Sequence, residues 1–83
     1  MTAAEHAFAA ADSWRALAEA ALDAQAVAGG AVAAVRGNNS GEAVEALERR
    51  WRALADPSHG ALPELVELCG RLAELCEHHG RIG

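Results

Sequence analysis

Two cysteines, four histidines and three serines are the side chains of this 83-residue sequence best suited to bind a metal or attack an electrophile. Cys69 and Cys76 stand seven residues apart on one helical face, about 10.5 Å of rise, beyond the roughly 7 Å Cα limit for a disulfide. They read as two small buried hydrophobes, with an intermolecular disulfide as the alternative in an oxidising space. Cys76 and His79, at i and i+3, could supply two metal ligands. Tetrahedral zinc needs four, or three and a water, so His6 or His59 would have to be brought in by folding. There is no CxxC or HxxxH spacing, and no metal or cofactor is expected. Ser13, Ser40 and Ser58 fall in a helix, a cap and a loop, without the spacing of an activated nucleophile. No tyrosine and no phosphate-binding glycine motif is present. An enzyme is not expected, and no residue is assigned a catalytic role.

What must position these residues is a set of helices. Hydrophobic residues make up 52% of the chain, but 22 of them are alanine, and every basic residue is arginine. The net charge of −5 argues against a nucleic-acid-binding module, which needs clustered Lys and Arg. No apolar run reaches the roughly 18 residues of a membrane span, and no segment has the form of a signal peptide. Two cysteines do not make a disulfide scaffold.

Thr2 and Glu5 have capping-box spacing. From there Ala10, Trp14, Leu17, Ala21, Ala24, Ala28, Val32 and Val35 recur at helical spacing. Glu5, Asp12, Arg15, Glu19 and Asp23 gather opposite. The pattern predicts one helix over about 3–36, weakened at Gly29 and Gly30, where a neighbouring helix could approach closely; a local break there is the alternative. Phe8 lies off the apolar stripe, so either the helix starts after it or it meets something outside this helix.

Residues 37–41 carry the strongest turn signal, with Gly37 suited to the left-handed position after a helix and Asn39 or Ser40 to the next N-cap. A second helix over about 41–55 shows Val44, Leu47, Trp51 and Leu54 on one side. Its order, glutamates before arginines, complements the helix dipole and offers Glu45–Arg49 and Glu48–Arg52 pairs. Pro57 opens a loop over about 56–62. A third helix over about 63–79 has Pro63 in its first turn and carries Leu65, Cys69, Leu72, Cys76 and His79. Leu62, Val66, Leu68 and Leu75 widen that stripe beyond one partner helix, and Gly80 and Gly83 point to a fraying end.

The fold class is therefore all-α: a helical hairpin with a long first helix and a return arm broken near Pro57. One hairpin buries one face of each arm, and two hairpins in a four-helix arrangement would cover the rest. A self-sufficient three-helix domain is the alternative. The core and pairing residues are expected among Trp14, Leu17, Val44, Leu47, Trp51, Leu54, Leu65, Cys69, Leu72 and Cys76, which sequence does not divide between intrachain and interchain seams.

At the turn, Asn39-Ser40-Gly41, followed by Ala43, Leu47 and Trp51, resembles the Trp-X-Gly family of type VII (ESX) secretion substrates. It is most similar to the variety found as N-terminal domains of actinobacterial polymorphic and channel-protein-like toxins. In that variety a small residue, an aromatic or leucine, and a tryptophan follow the glycine at two, six and ten positions. Residues 11–18 resemble the family's first helix and residues 72–77 its last. Asn39 stands in place of the defining tryptophan. His79 and Gly83 occupy the places of the tyrosine and acid of the C-terminal export signal. The resemblance implies a non-enzymatic hairpin that pairs with itself or a similar protein, presents cargo to a type VII machine, and draws its export signal from a partner or a longer chain. It implies a cytoplasmic protein that is a candidate for secretion. A structural docking domain in a larger cytoplasmic protein is the alternative.

Overall fold

The computed structural model describes residues 2–82, so Gly83 lies outside the described residues. Three helices run in order: α1, Ala3–Asn38; α2, Glu42–Ala55; and α3, Ala61–Ile82. α1 goes up, and α2 and α3 return along it as two segments of one broken arm.

The start of α1 is fixed as its sequence predicts. Glu5 N donates to Thr2 Oγ1 at 3.1 Å, and Thr2 N donates to Glu5 Oε2 at 3.3 Å, a reciprocal capping box. α1 then passes unbroken through Gly29 and Gly30. A Cβ on Gly29 would lie 3.3 Å from Cζ2 of Trp51, so a close neighbour is present there, whereas the space beside Gly30 is open among the described residues.

Three local expectations are corrected. Gly37 does not end α1, which runs on to Asn38 with Asn39 as C-cap. The reason is side-chain capping: Asn38 Nδ2 donates to the Ala34 carbonyl at 2.9 Å and Asn39 Nδ2 to the Val35 carbonyl at 3.1 Å, satisfying end carbonyls that otherwise lack partners. Asn39 and Ser40 therefore do not cap α2. Its N-cap is Gly41, at φ 107° and without a side-chain cap bond, a backbone region that favours glycine. Third, α3 spans more than 63–79. Two residues precede Pro63 in the helix, because proline's missing N–H costs nothing in a first turn. Nor does Gly80 mark a fraying end: it is buried, and a Cβ there would meet Ala7 Cβ and Phe8 Cζ at 3.2 Å. Phe8 thus meets a residue outside its own helix.

At the elbow Asp56 Oδ1 accepts from the backbone N–H of Ser58 at 2.8 Å and of His59 at 3.1 Å, holding the chain in a turn at Pro57. The N–H groups of Ser58 and His59 hold the Asp56 carboxyl below its ordinary pKa.

The molecule measures 57 × 20 × 12 Å, with a radius of gyration of 17.5 Å, against about 12 Å for a compact chain of this length. It is one layer of helices laid flat. Among the described residues the buried hydrophobic side chains are Ala11, Ala21, Cys69 and Ala73, all on α1 or α3. This core is made of small side chains, which allow close helix approach but remove little apolar area from water.

Candidate functional site

The candidate site is the surface that the flat layer leaves unmatched. Cys69 and Ala73 are 0% exposed and Ala11 1%, and these define the seam between α1 and α3. Arg15 and Glu77 form an ion pair across it. The Arg15 hydrogen bond lowers the Glu77 pKa, and the same bond raises that of Arg15.

That pair orients the faces. At about 100° per residue, Arg15 and Leu17 lie on opposite flanks of the α1 seam, and Glu77 and Leu75 on opposite flanks of the α3 seam. Because Arg15 and Glu77 meet, Leu17 and the α3 row of Leu65, Leu68, Leu72 and Leu75 share the other flank. The row steps by three, four and three residues, the spacing of a coiled-coil seam. Leu68 is 52% exposed and Leu75 63%. At the turn end, Val35 lines a shallow depression with Ala43, Val44 and Leu47, which carries the apolar flank along the molecule. The opposite flank bears the Arg15–Glu77 pair, whereas Glu67 and Arg71, paired at 2.6 Å, line one depression on α3 together with Leu65 and Leu68.

The expected core and pairing residues thus divide. Cys69 is buried in the seam; Trp14, Val44, Trp51 and Cys76 are half-buried. Both cysteines are free. Leu72 is half-buried within the leucine row, while Leu17, Leu47, Leu54 and Leu65 remain exposed. Sequence reasoning missed Ala11, Ala73 and Gly80, the residues packed most closely between helices. The signal was there as small residues at 69, 73, 76 and 80, but the alanine excess masks such a stripe. The Glu48–Arg52 pair forms, at 3.6 Å, and Glu45–Arg49 is not among the ion pairs of the described residues. Cys76 and His79 line one depression with Ala7 and Leu75. His6 and His59 are not gathered with them: among the described residues no three His, Cys, Asp or Glu side chains form a metal-binding group. No helix of the described residues is long and apolar enough to cross a membrane.

In the turn, Gly41 takes the positive φ, and the ten-residue step to Trp51 brings the indole back onto α1 at Gly29. A family model described as a WXG100 like domain matches residues 2–82. The chain belongs to the WXG100-like family. Curated proteins and solved structures give no significant match. WXG100 domains are non-enzymatic helical hairpins related to type VII secretion, and they commonly pair with helical partners. This WXG100-like chain has Asn39 at the position of the motif's tryptophan, and there it caps the Val35 carbonyl of α1.

Proposed function

We propose that this WXG100-like chain is a non-enzymatic pairing module of type VII secretion, whose apolar flank is covered by a second hairpin, first of all a second copy of itself. The observation that carries this reading is the flat single layer with a row of exposed leucines along one flank. A helical layer with an apolar face requires another layer to cover it. An outline of 57 by 20 Å encloses about 1,100 Å², more than the roughly 800 Å² per partner of a standard interface. Trp14, Leu17, Leu47, Leu54, Leu65 and Leu72 are the side chains this partner would cover, with Leu68 and Leu75 at the most exposed part of the row.

The offsets from Gly41 to Ala43, Leu47 and Trp51 support the finer reading, a targeting domain at the front of a toxin-like cargo. The test is release of a reporter fused behind the chain in a cell with a type VII system. The expected result is release that needs both the machine and the apolar flank, so that the Leu68→Asp/Leu75→Asp variant is retained. Pairing without machine-dependent release would favour the docking domain of a cytoplasmic protein instead.

A further inference from the structure

We propose that α2 is a releasable strap: it opens from α1 as a unit while the α1–α3 seam stays closed, and the Trp51 ring seated on Gly29 is its fastener. None of the α2 residues is fully buried, whereas both α1 and α3 contain buried positions. Segments with few buried contacts open at lower free energy than the core. The N-cap of α2, Gly41, makes no side-chain bond, while α1 is capped by side chains at both ends. Besides the indole, the polar tie to α1 is a 3.4 Å hydrogen bond from Gln25 Nε2 to the Ala55 carbonyl. The indole sits where a Cβ on Gly29 would be 3.3 Å from Cζ2, a contact tight enough that a side chain there would press on the ring. Opening of the strap uncovers the stretch of α1 around Gly29, apart from the leucine row on α3.

Hydrogen–deuterium exchange on the full chain tests this, with Gly29→Ala beside Gly30→Ala. Both substitutions favour α1 as a helix, but Gly30 faces open space and so reports the helix effect alone. In the wild type, amides of residues 44–55 are expected to exchange at least tenfold faster than those of 69–76. Gly29→Ala is expected to speed residues 44–55 several-fold and leave 69–76 unchanged, while Gly30→Ala speeds neither. Equal exchange in the two segments, a Gly29→Ala effect shared by both, or no difference between the two alanine variants would overturn the proposal.

Discussion

The two halves of the return arm meet the same helix in different ways. α3 buries Cys69, Ala73 and Gly80 against α1, and the Arg15–Glu77 ion pair spans the same seam. α2 meets α1 through the Trp51 ring at Gly29, the Gln25–Ala55 hydrogen bond and the depression that Val35 lines with Val44 and Leu47, and it contains no buried residue. Yet α2 has the cleaner amphipathic pattern. Amphipathicity therefore says that a helix has an apolar face, while the size of the residues on that face decides how closely a neighbour can come. Small residues make the tight seam, and the large ones of the leucine row are left exposed.

The sharpest way to break this comparison is to overfill the seam. Ala73→Leu places three more carbons at a position with 0% exposure and is expected to cost about 3 kcal/mol, lowering Tm by more than about 10 °C in a thermal melt followed by circular dichroism. Trp51→Ala is expected to cost about 1–2 kcal/mol in urea titration, below the roughly 3–5 kcal/mol of a fully buried tryptophan. A loss as large as that from Ala73→Leu would erase the distinction between the two regions. Asn39→Ala should cost about 0.5 kcal/mol, a single exposed end-capping bond, detected as faster exchange of the last turn of α1.

The smallest effect sharpens the comparison through pH. Glu77 and Asp56 both have lowered pKa values, the first through the Arg15 hydrogen bond and the second through the Ser58 and His59 N–H groups. A carboxyl with a lower pKa folded than unfolded stabilises the fold above its unfolded value, and that contribution is lost as pH falls through the folded value. Tm is therefore expected to be flat near neutrality and to fall below about pH 4. Glu77→Gln should reduce the slope contributed by the seam, and Asp56→Asn that of the elbow; an unaltered slope in both variants would show that neither contact operates in solution.

Much of the fold is legible because its signals are local. The capping box at Thr2, the break at Pro57 and the apolar periods of all three helices need no tertiary information. The end of α1 was misplaced because Gly37 is a common helix stop, and two asparagines can carry the helix past it by bonding back to its carbonyls. The pairing of Phe8 with Gly80 and of Arg15 with Glu77 depends on which residues the hairpin brings level, 72 and 62 positions apart in the chain. No periodicity encodes that register. The leucine row was visible as an overwide stripe, and only the close approach of α3 to α1 shows which part of it stays exposed.

Sedimentation equilibrium over a hundredfold concentration range, on the wild type and on Leu68→Asp/Leu75→Asp, tests the central claim most directly. The wild type is expected to have twice its 8.6 kDa chain mass, with the variant folded but monomeric. A wild type that stays cooperatively folded at 8.6 kDa throughout, with its leucine row in water, would contradict the account.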